Sequence, residues 1–470
     1  MYFKRFYDEP LAQASYLIAC QAAGTAIVID PARVIAPYLE TAAQEGFRIV
    51  AVTETHIHAD FVSGLRELVA ATGATGYLSA AGPPEWQYGF GKDAGMRLLA
   101  DRESIQLGKI VITAVHTPGH TPEHLSFLVT DGAAADEPMG LCSGDFVFVG
   151  DVGRPDLLEK AAHVANTAEA GARQLYRSLG WFRNLPDHLQ VWPGHGAGSA
   201  CGKGLGAMPQ STVGYERRFN WAFGPETEDE FVRMVLAGQP EPPRYFGRMK
   251  QVNRDGPPVL GRLPEPGRLA EGELLELLAA SATVVDARPA AQFAAGHLPG
   301  SISIPLNRSF TTYAGSLLPY DRPLHFILED ASPAAVSALV RGLVSIGFDR
   351  IAGVADGLAL RHAGRPLEPL RELSVADYAG GQPAGAVVVD VRNRSEWDDG
   401  HLPGAVLIPL PELPERLGEI PRDREVVFQC QTGGRSAIAA SVLQAGGHRK
   451  VVNLTGGYAA WVGQGGAIER

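Results

Sequence analysis

Residues 53–61 read Thr-Glu-Thr-His-Ile-His-Ala-Asp-Phe and close the apolar run Arg48 to Thr53. That run has strand character, so His56 and His58, two apart in extended chain, point to one side and can face one ion. Asp60 reads as the cap of a helix from Phe61 to Ala71. Phe61 stands where a histidine serving a second metal would be expected. A phenyl ring cannot coordinate, so this position decides much of the chemistry.

Three later strings match the first. Thr117-Pro-Gly-His120-Thr-Pro-Glu-His124 follows strand-like Ile110 to Ala114, Ser143-Gly-Asp145 follows Met139 to Cys142, and Trp192-Pro-Gly-His195-Gly closes the set. Each lies beside Gly or Pro at a strand end, where loops present side chains from a rigid scaffold. In this order they resemble the metallo-β-lactamase-type hydrolase fold over roughly residues 1–235, which implies an αββα sandwich. For two-metal hydrolases the resemblance implies His56, His58 and His120 on one ion, with Asp60, a histidine at position 61 and His195 on the other, and Asp145 bridging. With Phe61 the second site is expected to be empty or weak. What remains offers two neutral imidazoles and one carboxylate on one face of an ion, the ligand type of non-haem Fe(II) oxygenases.

This half of the chain is similar to the persulfide dioxygenases, whose facial triad falls on His56, His120 and Asp145. The resemblance implies one Fe(II) per chain, with zinc as its substitute. His58, Asp60 and His195 would orient ligands and waters, and direct ligation by His58 is the alternative. The histidine usual at position 61 is not an iron ligand in that family, so Phe61 weighs more against hydrolysis than against oxidation. His124 reads equally as a fold-stabilising hydrogen-bonder or a pocket residue.

An internal repeat occupies the second half. Residues 284–306 contain Asp286-Ala-Arg288 and Gly296-His-Leu-Pro-Gly300; residues 388–410 contain Asp390-Val-Arg392 and Gly400-His-Leu-Pro-Gly404. The repeat is about a hundred residues, long enough for each copy to be an α/β domain. Both copies resemble rhodanese domains with parallel sheets, and both Asp–Arg pairs read as structural. Only the second copy keeps a nucleophile: after the strand Glu425 to Gln429 comes Cys430-Gln431-Thr432-Gly433-Gly434-Arg435-Ser436, leading into a helix from Ala437 to Gln444. Backbone N–H groups of a Gly-rich turn at a helix start cradle an anion, here a thiolate or a persulfide. The ring is one residue shorter than the Cys-x5-Arg loop of cysteine phosphatases, which favours sulfur over the larger phosphoryl group. Cys430 and Arg435 are therefore the expected catalytic pair, with Gln431, Thr432, Gly433, Gly434 and Ser436 as cradle. In the first copy the strand Leu324 to Leu328 leads into Glu329-Asp330-Ala-Ser-Pro333, so that copy is expected to be silent, a spacer or docking surface.

The 470 residues suggest about three domains, and 45% hydrophobic with 20% charged residues suits enzymes with large cores. Expected segments are 1–238 for the metal-binding domain, 239–268 for a linker with seven prolines, 269–365 for the silent copy and 370–470 for the active one, with a break at Gly364 to Pro369. A net charge of −11 argues against nucleic acid or an anionic membrane as partner. Cys20, Cys142, Cys201 and Cys430 form no Cys-x-x-Cys pair and read as reduced thiols, and no signal core or run of 18 apolar residues appears, so the expected setting is cytoplasmic. Burial is expected for Cys20 and Cys142; Cys201, six residues beyond His195, could exchange sulfur or simply fill a tight turn. Arg154, Lys203, Tyr215, Arg217 and Arg218 could meet the carboxylates or phosphates of a thiol carrier, or be solvated surface.

The combined expectation is a persulfide dioxygenase fused to an inactive and then an active rhodanese domain. Its partners would be a glutathione- or coenzyme A-type persulfide, O2 and sulfite, and the chain would form a homo-oligomer. Two alternatives stand beside it: a zinc thioester hydrolase of the glyoxalase II kind with accessory rhodanese domains, and a rhodanese pair that only binds partners or senses sulfur.

Overall fold

The computed structural model describes residues 1–157, 159, 167–358, 367–381 and 385–470; Gly364, Arg365 and Pro366, in the expected break between repeats, lie outside the described residues. The chain divides into two units, Met1–Leu263 with Val344–Gly347, and Pro264–Leu343 with Phe348–Arg470.

The first unit holds two six-stranded sheets. One begins as an antiparallel meander, Tyr2–Asp8, Gln13–Cys20 and Thr25–Ile29, then adds Arg48–Thr53, Thr75–Ser79 and Met96–Leu99 in parallel. The other runs Ser211–Thr212, Gln190–Pro193, Gly140–Gly144, Leu125–Asp131, Ile110–His116 and Ser104–Leu107 in spatial order. Side chains alternate across a strand, so each sheet buries two faces. Tyr16, Ile18, Ile27 and Ile29 of one sheet meet Ile112, Ala114, Phe127 and Trp192 of the other. The intervening residues Leu17, Val28 and Val52 lie under Tyr38, Ala42, Leu65 and Leu68 of the helices Ala36–Gln44 and Leu65–Thr72. On the far side Leu141 and Val191 pack against Leu175, Leu179 and Phe182 of the helix Thr167–Phe182. The result is the expected αββα sandwich.

Two local expectations are corrected. Asp60 does not cap a helix: the helix starts at Leu65 with Gly64 as its N-cap. Asn253 is the reason, because its buried amide accepts from Ser63 N (2.9 Å) and donates to His58 O and Phe61 O (both 2.7 Å), holding residues 58–63 as a loop. The proline-rich segment 239–268 is not a bare linker. Between its proline clusters Phe246–Asp255 is helical and buries Phe246, Met249 and Asn253, one face of a helix.

The second unit holds two five-stranded parallel sheets of identical order. The first is Gly267–Arg268, Ile351–Asp356, Leu324–Leu328, Thr283–Asp286, Ile302–Ser303; the second is Arg371–Ser374, Val451–Thr455, Val426–Gln429, Val387–Asp390, Val406–Leu407. The Asp–Arg pairs are structural in both copies: Arg288 bonds Asp286 and Gly296 O, and Arg392 bonds Asp390 and Gly400 O. The copies share one core, in which Phe293 and Ala294 join Val389, Phe428 and Ala440, and Ser303 N donates to Ser441 Oγ at 2.9 Å. No helix among the described residues is long and apolar enough to cross a membrane.

Candidate metal centre and cysteine loop

The four strings of the first unit follow the strands Arg48–Thr53, Ile110–His116, Gly140–Gly144 and Gln190–Pro193, and the fold brings them to one place. His56, His120 and Asp145 each present a ligand atom, all within 4.8 Å of one another. His120 Nε2 is 3.5 Å and His56 Nε2 3.9 Å from Asp145 Oδ2. The outer nitrogens are tied down. His120 Nδ1 donates to Arg154 O (3.0 Å), and His56 Nδ1 lies 2.9 Å from the Thr55 hydroxyl, which itself donates to Asp30. Such bonds turn each Nε2 lone pair inward and fix the tautomer a metal needs. Burial, with neighbouring histidines adding for His56, holds both rings below the ordinary histidine range, so they are neutral. Neither oxygen of buried Asp145 has a hydrogen-bond partner. An unpartnered carboxylate facing two imidazoles fits a divalent cation.

Backbone close to the site explains the glycine before Asp145. Gly144 adopts φ +52°, and a Cβ there would lie 2.6 Å from Thr55 Oγ1 and 2.8 Å from His124 Nε2. His124 is a fold-stabilising group: its Nε2 accepts from Asp145 N at 3.1 Å, and its Nδ1 meets Thr117 Oγ1 at 2.9 Å. His58 turns away from the triad to Asp30, Nε2 to Oδ1 3.1 Å, and its ring packs on Phe61 at 4.4 Å. Burial alone would lower His58, but the Asp30 carboxylate raises it to about 9. Asp60 and His195 stand beside the triad, His195 Nε2 lying 3.3 Å from Asp60 Oδ2 and 3.5 Å from Asp145 Oδ1.

The tentative carrier-binding residues do not gather at the site. Arg154 is 0% exposed, with its guanidinium on Asp156 (2.9 and 2.7 Å) and Ala200 O (3.1 Å), so it is a buried strut and not a substrate contact. Lys203 Nζ donates to Met234 O (2.7 Å) and Ala237 O (3.2 Å), closing a helix end. Arg217 pairs with Asp187 at 3.0 Å, Arg218 lies over the Phe219 ring, and Tyr215 is exposed. Cys20 and Cys142 are buried, and so is Cys201. Asn253 and Thr55 were not marked by the sequence. Thr55 sits inside the quoted string and could have been found there; Asn253 carries no local signal.

In the second unit the strand Val426–Gln429 delivers Cys430 to the start of the helix Gly434–Ala445. Gly433 N donates to Cys430 Sγ at 3.1 Å, with Ser436 Oγ 3.4 Å away. The helix start lends that N–H partial positive charge, so the loop turns donors toward the sulfur. Arg435 is engaged by Glu396 through two bonds of 2.7 and 2.6 Å, from a helix outside the loop. Tyr313, from the first copy, packs against the cluster that contains Cys430, so the first copy walls the second. In the first copy, Glu329, Asp330 and Ser332 border a cavity of about 450 Å³ at the position that the cysteine loop takes in the second.

Comparison with known proteins agrees with this architecture. Residues 8–195 match the Metallo-beta-lactamase superfamily, and residues 271–359 and 374–464 each match the Rhodanese-like domain. A solved metallo-beta-lactamase from Staphylococcus aureus is 42% identical, with TM-score 0.69, and the match covers 76% of this chain and 99% of that one. A hydroxyacylglutathione hydrolase of Methylococcus capsulatus is 34% identical over 180 residues, 38% of this chain and 60% of the relative, so the chain spans only part of that enzyme. A sulfurtransferase of Allochromatium vinosum is 40% identical over 79 residues, 17% of this chain and 74% of the relative. The chain belongs to the metallo-beta-lactamase superfamily and carries two rhodanese-like domains behind its metal-binding fold.

Proposed function

We propose that the chain oxidises a low-molecular-weight thiol persulfide, of glutathione or coenzyme A type, with O2 at a mononuclear non-haem iron to give sulfite, and passes sulfane sulfur through Cys430 to give thiosulfate. One observation carries the reading: a buried triad of two imidazoles and one otherwise unpartnered carboxylate occurs in the same chain as a glycine-cradled cysteine. Fe(II) held by His56, His120 and Asp145 would supply the redox chemistry and keep open coordination positions.

The protein's own groups orient and protect. Thr55 and the Arg154 carbonyl hold the two imidazoles inward-facing, and the burial of the triad keeps bulk water from the reacting sulfur. In net terms persulfide, O2 and water become thiol, sulfite and two protons, with the four electrons lost by the sulfane sulfur reducing O2. At Cys430 the thiolate attacks the terminal sulfur of another persulfide, the S–S bond breaks, and the thiol leaves with the electron pair. Gly433 N–H and the helix start are placed to hold the resulting persulfide anion. Sulfite then attacks its terminal sulfur, thiosulfate leaves, and the Cys430 thiolate returns. The likeness of a 79-residue stretch of the chain to a sulfurtransferase supports this step.

Thioester hydrolysis is the second reading, favoured by the likeness of 180 residues of the chain to a hydroxyacylglutathione hydrolase. Oxygen uptake by anaerobically Fe(II)-loaded protein given glutathione persulfide separates the two. Uptake abolished in His120→Ala, with thiosulfate but not uptake lost in Cys430→Ser, is the expected result. Absence of uptake with several carrier persulfides, together with cleavage of a glutathione thioester, would replace oxidation by hydrolysis.

A further inference from the structure

The first copy has no cysteine in its loop, yet it sends a side chain to the second. In the helix Phe310–Leu317, Phe310, Thr311 and Ala314 are buried, while Tyr313 and Leu317, one turn apart, pack against the core that contains Cys430 and Ala437. Cys430 is 1% exposed, so the groups packed around it decide what reaches its sulfur. The Tyr313 phenol interacts electrostatically with Arg435, Cys430 and Glu396, so it stands beside the reactive loop.

Donors around Cys430 can be followed residue by residue. Gly433 N points at Sγ from 3.1 Å. Ser436 Oγ lies 3.4 Å from Sγ but 2.7 Å from Asn453 Oδ1, and the shorter bond takes its one proton, so Ser436 offers the sulfur lone pairs only. Arg435 gives two N–H groups to Glu396, and the pair carries no net charge. An acceptor such as sulfite therefore meets little net positive charge from this pair and needs a neutral donor aimed at its oxygens. Tyr313 is such a donor. Ser309, the N-cap of its helix, makes no cap bond; its hydroxyl bonds the phenol, whose oxygen can accept there and still donate its own proton. Burial raises the phenol above its ordinary range, with Arg435 opposing and Cys430 and Glu396 adding, so that proton is held at neutral pH.

We propose that Tyr313, carried by the first copy, determines the acceptor specificity of Cys430 in the second, its phenol donating to an oxygen of incoming sulfite. The assignment rests on the sulfur-transfer reading and concerns its second half, the discharge of Cys430–S–S⁻. The sulfite sulfur attacks the outer sulfur, an S–S bond forms as the bond between Cys430 and that sulfur breaks, and the Cys430 thiolate keeps the electron pair. Two anions must meet in this step, and a hydrogen bond from Tyr313 to the oxyanion offsets part of their repulsion. The copy without a cysteine thus supplies a working residue to the copy that has one.

The test uses the full-length chain in a His120→Ala background, so that oxidation at the triad does not consume the persulfide. Cys430 is loaded anaerobically with glutathione persulfide, excess reagent is removed, and the protein is mixed with sulfite or with cyanide, an acceptor that has no oxygen. In Tyr313→Phe, loading and discharge to cyanide should stay within about twofold of the parent, while the second-order rate of thiosulfate formation falls about tenfold or more, as loss of one hydrogen bond to a charged group implies. The cyanide arm guards against a folding defect, because a displaced loop slows both acceptors alike. An unchanged rate with sulfite, or an equal fall with sulfite and cyanide, would overturn the proposal. Parent protein that takes no sulfur onto Cys430 would overturn the sulfur-transfer reading and this assignment with it, an outcome visible before any acceptor is added.

Discussion

Replacing Asn253 with alanine tests whether a side chain far from the metal strings builds their loop. The amide makes three buried bonds, accepting from Ser63 N (2.9 Å) and donating to His58 O and Phe61 O (2.7 Å each). A net value of about 1 kcal/mol for each gives about 3 kcal/mol for the set, with the stranded Ser63 N–H contributing most. The same change frees residues 58–63, which carry His58 and Asp60, so affinity at the metal centre falls as well. Urea unfolding of the first unit, followed together with cobalt titration, measures both effects. Asn253→Asp separates donors from acceptor: it keeps the bond from Ser63 but turns a carboxylate toward two carbonyl oxygens, so it should be no better than alanine. A loss below about 1 kcal/mol for Asn253→Ala, or wild-type stability for Asn253→Asp, would refute the account.

Three further outcomes follow from particular contacts. Burial raises Glu123 to about 7, so the folded state holds its proton more tightly than the unfolded chain. Its stabilising contribution is complete below about pH 4.5 and is lost as pH rises through about 7, a change of roughly 3 kcal/mol at most. Glu123→Gln should flatten the fall of stability across that window, measured by urea titration at several pH values; buried Glu54, raised to about 7 in the same way, keeps its own share. Gly457 has φ +54°, and a Cβ there would stand 2.1 Å from Cys430 O. Gly457→Ala should displace the cysteine loop, costing more than about 2 kcal/mol and abolishing thiosulfate formation while oxygen uptake persists. Arg435→Gln and Glu396→Gln should each slow sulfur transfer, and the double variant should be no slower than the worse single one, because each side chain acts through the other.

Much of the protein was legible without the fold. Metal strings, the repeat and the Cys430 loop are contiguous stretches in which residue type and spacing state the chemistry, and strand-end placement follows from the Gly and Pro beside them. The same locality explains the errors. Asp60 followed by apolar residues looks like a helix start, and only Asn253, separated from Phe61 by 192 positions, keeps the chain from turning there. Proline clusters hid the helix Phe246–Asp255 because the periodic signal between them is short. Arg154 reads as a surface cation until its partners Asp156 and Ala200 O are seen around it.

Sequence alone thus determined the domain types, the two kinds of site and the absence of a cysteine nucleophile from the first copy, since these depend on neighbours along the chain. Tertiary structure decided which side chains share a space: Cys201 with Asp60 and His195, His58 with Asp30, Glu396 with Arg435, and Tyr313 with the core around Cys430. Those pairings are set by how sheets and loops pack across long separations, and a packing contact leaves no mark on the residues between its partners.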